Sequence, residues 1–229
     1  KMEQLQSDIY QVFIEADRYK MFLDGLKVTI GVSIAAVLLG ILLGMVLALM
    51  KMTEVRKGKK TIFSVVANIY IDIIRGTPTV VQLLIIYFLV FQTQMGMVAG
   101  IVTFGINSSA YVAEIIRAGI MAVDKGQMEA GRSLGLSYTE TMRYIILPQA
   151  VKNILPALGN EFIVLIKETA ILGYVAIQDL TKASDFIVSR TYIMFVPLIG
   201  CALIYYVLVK ILTIGLNAFE RRLRQSDIR

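Results

Sequence analysis

Apolar runs alternate with short polar stretches along this chain, and each run is close to the roughly twenty residues an α-helix needs to cross a hydrocarbon core. The clearest is Val28 to Met50, uncharged between Lys27 and Lys51. As a helix rising 1.5 Å per residue it extends about 35 Å. Ile62 to Phe91 is a second apolar stretch, interrupted by Gly76-Thr77-Pro78. A break near membrane depth frees backbone groups that only a protein-lined cavity can satisfy. Ile101 to Val123, Asn153 to Ile177 and Thr191 to Val209 complete the series. The pattern predicts an all-α polytopic membrane protein of five transmembrane helices. Ahead of them, residues 3–20 place Leu5, Ile9, Val12, Phe13 and Ala16 at helical spacing, with Glu3, Asp8, Glu15, Asp17 and Arg18 on other faces. That spacing predicts an amphipathic surface helix. No cleavable leader is expected ahead of it, and Lys1 before Met2 reads as a cloning remnant or the edge of a truncation.

Between the third and fourth runs lies a polar segment, residues 124–150, built to meet water. Gln127 to Leu134 can form about two helical turns, Gly135 supplies a left-handed stop, and Ser137 with Glu140 matches the S-x-x-E capping box of a second helix. Pro148 is expected to end that helix. Two short helices with a glycine bend, held against a bilayer, make a compact docking knob.

Composition narrows the class. With 57% hydrophobic and 17% charged residues the chain resembles multi-span membrane proteins rather than soluble domains, and it is expected to be one transmembrane domain over residues 1–229. There is no His and only Cys201, so neither an internal disulfide, a Cys/His zinc site nor a Cys–His nucleophile has its parts. No catalytic or metal-ligating residue is therefore assigned. The net charge of +6 follows membrane topology. Lys51 to Lys60 carries five basic residues and Glu54, the knob carries Lys125, Arg132 and Arg143, and the tail carries Arg221, Arg222, Arg224 and Arg229. By the positive-inside rule these share the cytoplasmic side, which puts the amino end outside and the carboxyl end inside. A nucleic-acid partner is not expected, because Asp124, Glu129 and Glu140 offset the knob's basic residues and phosphate binding wants a basic face.

Charges inside the spans mark candidate chemistry, since each costs on the order of 3 kcal/mol at the bilayer centre and persists only when paired or used. Asp72 with Arg75 and Glu114 with Arg117 stand at i, i+3, where they can neutralise each other or contact a substrate. Glu161 has no basic residue one turn away in the sequence and is the leading substrate contact. Gly40 and Gly44 form a G-x-x-x-G pair suited to close helix approach.

Several motifs in order then resemble one family. Glu129-Ala130-Gly131, Gly135 and Ile145-Ile146-Leu147-Pro148 are similar to the cytoplasmic EAA loop of ATP-binding-cassette importer permeases, with Gly131 in place of the second Ala. Arg75-Gly76-Thr77-Pro78-Thr79-Val80-Val81-Gln82 resembles the R-G-T-P-x-x-V-Q motif of the polar amino-acid subfamily, the histidine/arginine/glutamine permease type. Tyr111 to Ile120 resembles its Y-x-A-E-x-x-R-x-G-I motif, whereas Lys167-Glu168-Thr169-Ala170 departs from K-x-T-S. The likeness covers roughly residues 22–217.

The resemblance implies a multi-pass permease of the bacterial cytoplasmic (inner) membrane that hydrolyses nothing itself. The chain has no G-x-x-x-x-G-K-[ST] loop, so ATP and magnesium belong on separate ATPase subunits and no cofactor is expected here. Gln127, Glu129, Ala130, Gly131, Gly135 and Leu136 would form the coupling helix that meets that ATPase. The other implied partners are a second permease subunit, identical or different, an extracytoplasmic substrate-binding protein and the amino-acid substrate. For a zwitterion, Arg75 or Arg117 can take the carboxylate in bidentate fashion, helped by the backbone of Gly76 and Thr77. Asp72, Glu114 or Glu161 can take the ammonium. Three acids against two arginines favour a cationic side chain such as arginine, lysine or histidine. An ion-coupled secondary amino-acid transporter, with Glu161 as proton site, is the alternative.

Overall fold

The computed structural model describes residues 2–91 and 95–225. Lys1, residues 92–94, Arg229, and the side chains of Arg56 and Arg224 lie outside the described residues. Among those described there is no strand. The helices are α1 (Met2–Ile9), α2 (Tyr19–Lys57), α3 (Ile62–Gly76), α4 (Thr79–Ile85), α5 (Gly96–Met121), α6 (Lys125–Ser133), α7 (Tyr138–Thr141), α8 (Leu147–Glu168), α9 (Leu180–Thr191) and α10 (Phe195–Gln225).

Tyr19–Val55, Gly96–Met121 and Phe195–Leu223 are each long and apolar enough to cross a membrane. Ile62–Gly76 with Thr79–Val90 adds a fourth crossing if the pair is one span bent by 103°. The bend follows from local chemistry. Thr77 is extended (φ −120°, ψ 143°), as a residue before proline prefers, and Pro78 then opens α4. The fifth expected crossing, Asn153 to Ile177, carries Lys152, Glu161, Lys167 and Glu168 on or beside it, is α-helical only to Glu168, and tightens into narrow turns over Thr169–Val175.

Three local expectations need correction. Residues 3–20 do not run as one helix, because Ala16 (φ 52°) and Asp17 (φ 56°) turn left-handed between α1 and α2. Pro148 does not end the knob's second helix. A wide π turn over Met142–Ile146 carries α7 into α8, so the proline's missing N–H falls where the helical ladder is already shifted. Between the fourth and fifth apolar runs lies α9, Leu180–Thr191, capped by Asp179, whose carboxylate accepts from Thr181 N (2.9 Å) and Lys182 N (3.0 Å). The last span starts at Phe195 rather than Thr191, since Tyr192 at φ 58° terminates α9.

The described chain forms two compact units. One comprises residues 1–36, 78–104 and 163–212. Its core is Val12, Phe22, Leu180, Ile187, Val196 and Cys201. Gly25 lets α2 pass the backbone of Asp179 and Leu180 so closely that an added Cβ would lie 2.7 Å from the Asp179 carbonyl oxygen. Thr29 Oγ1 accepts from Leu180 N (3.2 Å) at the same crossing.

The other unit, residues 37–77, 105–162 and 213–229, holds every candidate site residue and the knob. Ile71, Ala110 and Ala113 are its buried centre, with Leu47, Tyr70 and Ile74 around them. The G-x-x-x-G pair brings α2 against α5. A Cβ on Gly40 would stand 2.9 Å from Ser108 Cβ, and one on Gly44 would stand 2.6 Å from Val112 Cγ1 and 2.9 Å from the Ser109 carbonyl oxygen. The carbonyl cannot rotate away, so Gly44→Ala is expected to cost about 1–3 kcal/mol by overpacking. A fall in the melting temperature of the detergent-solubilised protein checks this, and an unchanged transition would show that the helices separate freely.

Candidate functional site

Residues on α3, α5 and α8 supply the polar groups of the second unit. Buried Asn107, Ser108 and Ser109 sit in consecutive positions of α5. Tyr70 OH donates to the Ile106 carbonyl (3.0 Å) and lies 2.8 Å from Ser109 Oγ, which ties α3 to α5. Ser108 Oγ donates to Glu161 Oε1 (2.9 Å), which ties α5 to α8. Each of these helices is thus registered on the next by a hydrogen bond inside an apolar surround, where such bonds are costly to leave unmade.

The two acid-x-x-base pairs differ. Glu114 is gripped by Arg117 through Nε (3.0 Å) and Nη2 (2.9 Å). Its other oxygen accepts from Lys51 Nζ at the far end of α2. All three side chains are partly buried, and Glu114 joins Lys51 of α2 to Arg117 of α5. No ion pair joins Asp72 to Arg75 among the described residues. The Arg75 guanidinium lies over the Tyr111 ring, 5.2 Å from its centroid. Asp72, Arg75 and Thr77 are exposed, and Thr77 Oγ1 closes the helix end by donating to the Ile73 carbonyl (2.9 Å).

Lys51→Met would leave Glu114 with one cationic partner in a partly buried place. A loss of about 1.5–3 kcal/mol is expected, the worth of a hydrogen bond to a charged group. Thermal unfolding of Lys51→Met, Glu114→Gln and the double variant checks it. The double variant should lose less than the sum of the two single ones.

The knob is assembled as its local sequence dictates. Asp124 caps α6 by accepting from Gly126 N (2.6 Å). Gly135 takes φ 88°, with Gly135 N donating to the Arg132 carbonyl (3.1 Å) and Leu136 N to the Gly131 carbonyl (3.2 Å), a Schellman close. Ser137 and Glu140 cap α7 reciprocally, Glu140 N to Ser137 Oγ (3.3 Å) and Ser137 N to Glu140 Oε2 (2.8 Å). The Ser137 side chain and backbone hold the Glu140 carboxyl below its usual range. The cap's contribution is therefore complete above the ordinary carboxylate pKa and fades as pH falls through the lowered one.

Gln127, Glu129 and Ala130 are exposed on α6, while Gly131 is buried. A Cβ on Gly131 would meet Thr141 Cγ2 at 2.5 Å and Thr141 Oγ1 at 2.9 Å. Thr141 thus occupies the space an alanine methyl would need, which explains the departure from the E-A-A pattern.

The profile of the family described as "binding-protein-dependent transport system inner membrane component" matches residues 40–225. The chain belongs to this family. The permease is 43% identical over 210 residues to the arginine transport system permease protein ArtQ of Bacillus subtilis, covering 90% of this chain and 93% of that protein. It is 35% identical over 209 residues to the glutamine transport system permease protein GlnP of Escherichia coli, covering 89% and 93%. A crystal structure described as an amino acid ABC transporter with histidines matches with a TM-score of 0.82 and 50% identity, over 89% of this chain and 94% of that one. As a member of this family the permease is a membrane component of a transport system and not an enzyme.

Sequence reasoning missed three residues of the permease's site region. Lys51 reads in the sequence as a basic loop residue, yet it is the second cation on Glu114. Ser108, the partner of Glu161, lay unnoticed in an apolar run, where the only signal was the unusual triplet Asn107-Ser108-Ser109. Leu134 at the knob's tip is 81% exposed, a large apolar side chain set beside the glycine bend.

Proposed function

We propose that the chain is the permease subunit of an ATP-driven importer of polar amino acids, with preference for cationic ones, and that residues 124–150 couple it to a separate ATPase. The observation that carries the reading is the knob itself. A rigidly capped pair of short helices with exposed Glu129 and Leu134 is inserted in a chain that has no phosphate-binding loop. Gln127, Glu129, Ala130, Gly131, Gly135 and Leu136 form the coupling element in this reading, with Leu134 added as its apolar contact. ATP and magnesium sit on the ATPase subunits. A second permease subunit, identical or different, and an extracytoplasmic binding protein complete the assembly. The five-span arrangement, amino end outside and carboxyl end in the cytoplasm, is kept as part of the proposal and rests on the distribution of basic residues.

The charge balance in the spans does not favour cationic substrates. With Lys51 on Glu114, three acids face three cations. The preference now rests on Glu161 and on the likeness to relatives described for arginine and histidine. Asp72, Arg75, Thr77, Glu114, Arg117 and Glu161 are the proposed substrate contacts.

The test is uptake into proteoliposomes by the complex purified with its partners, with ATP inside, offering arginine, lysine, histidine and glutamine in turn. ATP-dependent uptake led by the cationic amino acids is expected. Uptake by the permease alone, driven by a pH gradient, would instead establish an ion-coupled carrier.

A further inference from the structure

The two arginines among the proposed substrate contacts are held differently. Arg117 places Nε (3.0 Å) and Nη2 (2.9 Å) on Glu114, so one edge of its fork is already taken by an acid. The Arg75 guanidinium makes no hydrogen bond or ion pair among the described residues, and its Cζ lies 5.2 Å from the centroid of the Tyr111 ring. An aromatic face attracts a cation through its quadrupole and uses none of the N–H donors. The fork of Arg75 is thus held by the ring with its donors left for a planar acceptor such as a carboxylate. Arg75 stands one residue from the end of α3, where extended Thr77 leaves the helix.

Holding α3 on α5 does not require this contact. Ile71, one turn before Arg75, packs on Ala110 and Ala113 with Ile74 beside them, and Tyr70 OH reaches the Ile106 carbonyl and Ser109 Oγ. Arg75 and Tyr111 are both exposed, outside that buried centre. The packed helices fix where the ring stands, and the ring in turn narrows the conformations of a long side chain with large rotamer entropy.

We propose that Tyr111 is a positioning residue for substrate recognition: its ring holds the Arg75 guanidinium so that the fork meets the α-carboxylate of the amino acid. The inference rests on the reading of Arg75 as a substrate contact. Its chemical consequence is specific. Without the ring, the Arg75 side chain must be ordered at the moment of binding, and only a ligand that carries a carboxylate feels that cost. A role in packing would weaken every ligand alike. Because the carboxylate is common to all α-amino acids, Tyr111 sets affinity for the class and not the choice among side chains.

The test is direct binding of arginine and of argininamide, which lacks the carboxylate, to the complete membrane complex freed of its external binding protein. The wild type should prefer arginine, and Arg75→Gln should remove about ten- to a hundredfold of that preference. Tyr111→Leu should remove about fivefold of it, with little loss for argininamide. Tyr111→Phe keeps the ring and should keep the preference, whereas a ring-fluorinated phenylalanine at the same position, nearly equal in shape but weaker in quadrupole, should lose most of it. Equal losses for arginine and argininamide in Tyr111→Leu, or a fluorinated ring that serves as well as phenylalanine, overturn the assignment of Tyr111. A wild-type preference in Arg75→Gln overturns Arg75 as the carboxylate contact and Tyr111 with it. A wild-type complex that binds neither ligand sinks the importer reading itself, and both residues' roles with it.

Discussion

Gly135→Pro is expected to abolish ATP-driven uptake while leaving the membrane helices inserted. Gly135 holds φ 88°, and proline fixes φ near −65° and has no N–H to donate. The substitution therefore removes the bond to the Arg132 carbonyl and forces apart the turn that sets α6 against α7. A cost of about 3 kcal/mol or more falls on an element held only by short helices and caps. Gly135→Ala provides the graded control, because alanine tolerates the left-handed conformation at about 1–2 kcal/mol. Glu129→Ala keeps the bend and removes only an exposed carboxylate. The expected order of remaining uptake is Glu129→Ala, then Gly135→Ala, then Gly135→Pro, with ATPase co-purifying in the same order. Substrate-stimulated hydrolysis and uptake at wild-type level in both Gly135→Pro and Glu129→Ala would remove coupling from the knob.

The bend and caps were legible because they depend on neighbours in the chain. Gly135, the Ser137–Glu140 box and the Thr77-Pro78 break each involve residues within four positions, and their chemistry forces one backbone shape. Helix α9 is legible too, since Leu180, Ala183, Ser184 and Ile187 are buried at i, i+3, i+4 and i+7, a helical stripe. Left-handed Ala16, Ala176 and Tyr192 could not be read, since nothing in those side chains asks for positive φ. Long-range pairing was equally beyond reach. Lys51 and Glu114 are 63 residues apart and Ser108 and Glu161 are 53 apart. A sequence marks a buried charge as needing a partner but does not say which one.

That limit bears most directly on Glu161. Its position on α8 singled it out from sequence, and the structure adds that Ser108 Oγ donates to one of its oxygens. Glu161→Gln retains the acceptor oxygen for Ser108 and removes only the charge. If Glu161 meets the cationic end of the substrate, the lost charge-assisted bond is worth about 1.5–3 kcal/mol, or roughly ten- to a hundredfold in affinity. Arginine and lysine should lose the most and glutamine little. Ser108→Ala should produce a smaller and uniform loss, because it loosens the carboxylate without discharging it. The external binding protein filters substrates before they reach the permease, so the measurement is direct ligand binding to the membrane complex freed of that protein, with assembled complex quantified. Equal losses for glutamine and arginine would assign Glu161 to the α-ammonium common to both, and unchanged binding of all four amino acids would take it out of the site.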